Sequence, residues 1–447
     1  MACFFALFRY LFVRKSCSLT MVFNELLNNL ENPSAKLFLQ IAVIMALAQL
    51  VGLLLKKIRQ PLVIGEIIAG ILLGPSVLGL VAPGISRFLF PASSLPGLQS
   101  LSQIGLILFM FIIGLELDVN QIRKMAYPAL VISYASILVP FGFGMLLAYP
   151  LYGTYAPSGT TATTFALFMG TAMSITAFPV LAKILHERQL TRTVIGSLAL
   201  LCAAFNDLTA WCVLGAVVAI AKAKALAGLL VSLLLLVLYL LAMFLGGRPL
   251  LRWVFRQYAD DHSPQSVSLV VTFLLLLLSC YATEIIGVHA LFGAFVAGVI
   301  MPPNTHLRTN IAERINDISR LILLPLFFVL TGLKTKINLL DTPQLWLVTA
   351  LIILVAIAGK LGGCALAARY SRYGWPFSLQ LGVLMNARGF MELVVLNIGY
   401  DLGIISPTLF AMMVLMALIT TLITGPALNI IARYSPQPTN REEAIPL

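Results

Sequence analysis

Thirteen apolar runs, near 35–55, 61–80, 98–116, 126–149, 161–185, 195–221, 225–247, 267–285, 287–302, 319–334, 344–368, 377–399 and 405–432, take up most of this chain. A helix of about 20 residues crosses a hydrocarbon core of about 30 Å, and in lipid every backbone N–H and C=O must be satisfied within its own segment. The fold class expected is therefore an all-α polytopic membrane protein of about 13 transmembrane helices, numbered below as spans one to thirteen. The runs at 287–302 and 319–334 are short, so they read as tilted, re-entrant or broken. Only 10% of the residues are charged and 60% are apolar, against roughly a quarter charged in a water-soluble domain. That excludes a soluble enzyme, a nucleic-acid binder and a secreted disulfide scaffold. The six cysteines show no C-x-x-C spacing, and four of them lie in apolar runs as small hydrophobes.

The net charge of +12 follows from topology. Loops after odd-numbered spans, with the C-terminus, carry eighteen of the 29 Lys and Arg residues; the opposite side carries nine, and Lys360 and Arg388 lie inside spans. Such a bias puts the basic side, and with it the C-terminus, in the cytoplasm and the N-terminus outside. Residues 1–34 read as an N-terminal extension, whose first twenty are either an upstream start before Met21 or an interfacial helix. Residues 433–447 read as a short cytoplasmic tail without a regulatory domain.

An ionisable group at membrane depth costs on the order of 3 kcal/mol or more, so each is a functional candidate. Asp207, in the middle of span six beside Asn206, is the clearest. It either caps a broken helix, pairs with a basic residue, or holds a proton and a metal ion by turns. Lys360 in span eleven needs a carboxylate partner or must titrate. Arg388 and Glu392 are four apart, on one helix face, where they can pair. Gly389 between them, with Asn386 before it, suits a helix interrupted at mid-membrane. In span five, Ser174-Ile-Thr176-Ala-Phe-Pro179 places two hydroxyls beside a proline. The pattern is either a plain kink or a set of freed oxygens fit for a hard monovalent cation. No Walker A loop is present, so ATP is not expected to drive this protein.

The interrupted spans five and twelve are seven apart. An odd offset reverses orientation, so spans one to six (about 35–221) and eight to thirteen (about 267–432) are expected to form two inverted six-helix repeats, with span seven (225–247) as linker. Interrupted segments at matching places in two halves point to a midplane transport site.

The chain resembles the monovalent cation:proton antiporter superfamily, in the branch of sodium/proton exchangers, glutathione-gated potassium efflux proteins and plant cation/proton exchangers. The matching stretches are Gln60-Pro-Leu-Val-Ile-Gly-Glu66, Gly70-Ile-Leu-Leu-Gly-Pro75, Gly114-Leu-Glu-Leu-Asp118, Ser174-Ile-Thr-Ala-Phe-Pro179, Asn206-Asp207, Gly293-Ala-Phe-Val-Ala-Gly298, Pro325-Leu-Phe-Phe328 and Asn386-Ala-Arg-Gly389, in family order across about 35–432. The resemblance implies a sodium/proton antiporter-like fold with discontinuous crossing helices in one transmembrane exchanger domain. It implies a monovalent cation, Na⁺ or K⁺, bound at Asp207 in competition with H⁺. Asn206, Thr176 and Ser174 would be co-ligands, and Lys360, Arg388 and Glu392 charge partners. No cofactor, nucleotide or nucleic acid is expected. A homodimer in the cell's inner or plasma membrane is. Asn206 stands where many electrogenic members carry a second aspartate, which points to electroneutral exchange. The competing reading is a cation channel or a non-transporting membrane sensor of the same fold.

Overall fold

A computed structural model describes residues 32–57, 62–91, 93–116, 127–190, 193–222, 226–257, 265–302, 311, 313–315 and 317–434. Most of the expected N-terminal extension and C-terminal tail, Asp118, and the loop residues Arg59, Arg123, Lys124, Arg192, Lys224 and Arg308 lie outside the described residues. Ten helices among the described residues are long and apolar enough to cross a membrane, and they fall on ten of the thirteen apolar runs. The other three runs fold differently. Span nine is the short helix Ala290–Ile300. Span five is two half-helices, Ala162–Ser174 and Phe178–Glu187. Span twelve is likewise two, Trp375–Met385 and Phe390–Asp401.

The breaks sit where local chemistry disfavours continuing a helix. Pro179 is the second residue of its half-helix, a place where the missing N–H costs nothing, so the chain opens just before it at Ile175–Ala177. The expected disruption thus precedes the proline, which then starts the next half-helix. In span twelve the opening runs from Asn386 to Gly389. A Cβ on Gly389 would meet Val180 Cγ2 at 2.9 Å, so the second break needs a glycine to lie against the first.

The helices form two bundles. Spans one to three and eight to ten pack on one another as a scaffold, and spans four to six and eleven to thirteen as a core. Two glycine crossings hold the scaffold. In span two a Cβ on Gly70 would meet the Gly332 Cα of span ten at 2.8 Å, and in span three one on Gly114 would meet the Gly298 Cα of span nine at 3.0 Å. Adding seven to a span number exchanges these crossings, as the inverted repeat requires. The spacing Gly65…Gly70 recurs as Gly293…Gly298. Gly65 abuts Gly52 of span one, and Gly293 abuts Ser279 of span eight. The small residues are what let backbones approach where lipid supplies no hydrophobic drive between helices.

Replacing Gly332 by Val forces two backbones apart and is expected to cost about 3 kcal/mol. Thermal melting of the purified protein should fall accordingly. Gly142→Ala, at a helical site with no neighbouring heavy atom within 4 Å, should melt as the parent does.

Candidate functional site

The two breaks meet in the core bundle. The Ala177 N–H donates to the Ala387 carbonyl (3.2 Å) and the Thr176 hydroxyl to the Met385 carbonyl (3.3 Å). Each half-helix that ends here leaves carbonyls without helical partners, and in lipid these need donors. At the end of Ala162–Ser174 the donors are cationic. Arg388 reaches the carbonyls of Ala172 (3.3 Å) and Met173 (2.8 Å), and Lys360 reaches that of Ser174. Positive charge at a helix C-terminus also opposes its dipole. Three of the freed oxygens on span five, the carbonyls of Ala172, Met173 and Ser174, are therefore already taken by side chains.

Lys360 lies in a π-helical turn, Ala358–Gly362. Two glycines bring that turn against span four: a Cβ on Gly359 would meet the Pro140 Cα at 3.1 Å, and one on Gly363 the Val139 Cβ at 2.9 Å. From there the ammonium also donates to the Ser136 carbonyl (2.8 Å). The sequence left open whether Lys360 pairs with an acid. In the structure it binds two backbone carbonyls and makes no ion pair with Asp207. Arg388 does have an acid: its guanidinium holds Glu392 at 3.0 Å, with both side chains fully buried. Its backbone is fixed as well, because the Thr421 hydroxyl accepts the Arg388 N–H (3.2 Å), and its single hydrogen is shared between the carbonyls of Arg388 (2.7 Å) and Ala417 (2.8 Å).

Asp207 is 1% exposed, and neither carboxylate oxygen has a hydrogen-bond partner. The backbone N–H of Phe178, at the start of the second half-helix, lies close enough to bear on its charge without hydrogen-bond geometry. A helix N-terminus favours negative charge. Asn206 beside it donates through Nδ2 to the hydroxyls of Ser136 (2.7 Å) and Thr176 (3.2 Å), and its Oδ1 is unpartnered. Ser174 turns its hydroxyl to the Thr171 carbonyl (2.8 Å). An acceptor-rich, buried spot next to an ionisable carboxylate can take a proton or a dehydrated cation, since either satisfies oxygens that are costly to leave bare.

The structure thus gathers Asp207, Asn206, Thr176, Ser174 and Lys360 at one crossing, with Arg388 and Glu392 bracing its far side. Sequence reading missed Ser136 and Thr421. The signal was there in part, as hydroxyls inside apolar runs: Ser133 and Ser136 in span four, Thr420 and Thr421 in span thirteen. His289, a lone histidine in an apolar run, caps the helix Ala290–Ile300 by accepting the Leu291 N–H (3.4 Å).

Residues 42–434 match the family described as sodium/hydrogen exchanger, transmembrane. The chain is 42% identical to the Na(+)/H(+) antiporter NhaS4 of Synechocystis sp., over 90% of this chain and 97% of that protein. It is 40% identical to cation/H(+) antiporter 17 of Arabidopsis thaliana and 36% identical to K(+)/H(+) antiporter 1 of Saccharomyces cerevisiae, over 92% and 90% of this chain. It spans 50% and 47% of those two proteins, about half their length. Among solved structures, the sodium proton antiporter MjNhaP1 of Methanocaldococcus jannaschii shares the fold with a TM-score of 0.62 at 16% identity, covering 88% of this chain and 98% of that one.

Removing one partner of a buried ion pair leaves the other charge bare in a low-dielectric place, which costs about 3–5 kcal/mol. Arg388→Gln also strips the Ala172 and Met173 carbonyls of a donor. It is expected to lower the melting temperature and yield sharply, and adding Glu392→Gln should recover part of the loss in the same melting assay.

Proposed function

The chain belongs to the transmembrane sodium/hydrogen exchanger family, and on that premise we propose that it exchanges a monovalent cation, Na⁺ or K⁺, for H⁺ across the membrane, with both ions competing for Asp207. The observation that carries the reading is the bare carboxylate of Asp207 at the crossing of two broken helices. A proton neutralises it, and so does a cation held by the carboxylate together with Asn206 Oδ1 and the Thr176 hydroxyl oxygen. Since one charge cannot hold both, release of one ion follows arrival of the other, and that competition couples the two gradients.

Lys360 and Arg388 serve the fold of the site in this scheme. Their ammonium and guanidinium groups hold the carbonyls of Ala172, Met173 and Ser174, so those oxygens do not compete for the ion. Ser174 acts through its carbonyl, as the anchor for Lys360. The bias of Lys and Arg between loops supports a cytoplasmic C-terminus and an outside N-terminus. Family resemblance supports a homodimer in an inner or plasma membrane. A channel of the same fold would conduct cations without moving protons. The buried crossing, closed around Asp207, suits a carrier better than a pore.

Asp207→Asn keeps the shape of the side chain and removes its charge. In proteoliposomes with an opposed Na⁺ or K⁺ and pH gradient, we expect no cation-driven proton movement from the variant and a melting temperature close to the parent's. Coupled flux surviving in Asp207→Asn would sink the assignment.

With one carboxylate alternating between one proton and one monovalent cation, the cycle moves no net charge. Exchange rates measured with Na⁺ at imposed membrane potentials of either sign should therefore be equal. A rate that rises or falls steadily with potential would require a second titrating group.

A further inference from the structure

Ser136, on span four, has no ionisable group and no place in the family motifs, yet it bonds to both Lys360 and Asn206, the residue before Asp207. Its carbonyl accepts Lys360 Nζ at 2.8 Å and its hydroxyl oxygen accepts Asn206 Nδ2 at 2.7 Å. It is fully buried. The direction of each bond can be settled by counting protons. The Ser136 hydroxyl hydrogen goes to the Ser133 carbonyl (2.8 Å), and the Thr176 hydroxyl hydrogen goes to the Met385 carbonyl. Each hydroxyl has one hydrogen, so both present only lone pairs to Asn206. An amide facing two acceptors must offer its NH₂ group. The carbonyl end of Asn206 is then turned away, unpartnered, next in sequence to the bare carboxylate of Asp207.

We propose that Ser136 is a positioning residue for ion binding: with Thr176 it locks the Asn206 amide so that Oδ1 alone is available to the transported monovalent cation, as a neutral ligand beside Asp207. The inference rests on the antiport reading above and deepens it. Without the lock the amide rotates freely, its NH₂ end enters the site in part of the population, and a donor in that place repels a cation. Ser136 is thus expected to set affinity for the cation, leaving turnover and folding alone.

Ser136→Ala, Ser136→Thr, Asn206→Ala and the double variant test this in two assays. One is exchange in proteoliposomes, giving KM and Vmax for Na⁺ and K⁺. The other is the cation-dependent rise in melting temperature of the purified protein at constant ionic strength, with choline as the replacing ion, which reads binding without transport. For Ser136→Ala we expect the apparent affinity for the cation to fall about tenfold in both assays, the scale of one lost buried polar interaction. Vmax and ion-free melting should stay near the parent's. Ser136→Thr keeps the hydroxyl and should restore affinity. Ser136→Ala added to Asn206→Ala should lower affinity no further, because its effect passes through the amide. Parental affinity in Ser136→Ala, a loss confined to Vmax or to ion-free melting, or additive losses in the double variant would each overturn the proposal. Should Ser136→Ala not fold, Ser136→Gly removes the same acceptor with less bulk and must lower affinity likewise, with no further loss when added to Asn206→Ala. If Asp207→Asn still exchanges, the assignment of Asp207 as the shared site fails, and the melting titration still decides whether Ser136 governs cation affinity.

Discussion

A backbone broken inside a membrane must find partners for the carbonyls and amides it frees, and no water is there to supply them. Most of this core bundle answers that constraint. At the first break the last three carbonyls of Ala162–Ser174 are met by Arg388 and Lys360. At the second, Met385 and Ala387 accept from Thr176 and Ala177 of the first, while Thr421 holds both backbone groups of Arg388. Each break is thus completed by residues of the other break or by helices packed beside it. The crossing cannot form in halves, and the two inverted repeats are tied together through the same bonds that create the site.

That tie gives the two buried bases their short-range partners, which are backbone carbonyls and Glu392 and not the carboxylate of Asp207. A cation fixed next to Asp207 would repel the ion to be carried, and at membrane depth the repulsion would be little screened. Lys360 and Arg388 are directed instead at backbone carbonyls and, for Arg388, at Glu392. Their charge still matters through the dipole of the half-helix they cap. Asp207 faces the other polarity, the amide end of Phe178–Glu187. Charge separation along span five therefore leaves its carboxylate the one bare anion among the described residues of the crossing.

Much of this was legible in the residues. Ten of the thirteen apolar runs coincide with helices long enough to cross a membrane among the described residues, and the proline at 179 and glycine at 389 mark the two openings. Asp207 stood out because a carboxylate in lipid is expensive wherever it sits. What could not be read was how the polar side chains pair. Lysine is long enough to reach an acid or a carbonyl, and only the approach of Gly359 and Gly363 to span four decides for Ser136 and Ser174. Ser136 itself was hidden because a serine in a membrane helix ordinarily bonds its own preceding turn, as this one does through Ser133. Its second role lies in a lone pair, which has no sequence signature.

The seam between the two bundles is built differently from the bundles themselves. Within the scaffold, glycines lock backbone to backbone, and within the core, buried hydrogen bonds and an ion pair join the helices. Across the seam, Ile64 and Ile67 of the scaffold face Val180, Gly389 and Leu393 of the core around a small cavity that Arg388 and Thr421 also line, and the scaffold side of it offers packing without direction. Two polar ties join span ten to span twelve there: Asn397 donates to the Thr331 hydroxyl at 2.9 Å, and Lys334 meets Asp401 at 2.7 Å. The first is a neutral bond worth about 1 kcal/mol net. The second is partly exposed, with Asp401 mostly in solvent, and exposed pairs contribute about 0–1 kcal/mol. Opening Asp207 to either side by tearing the crossing would break several buried bonds, including those to Arg388 and Lys360. Sliding the core along the seam would leave those buried bonds intact, so access to the site is expected to alternate by movement of the core as one body.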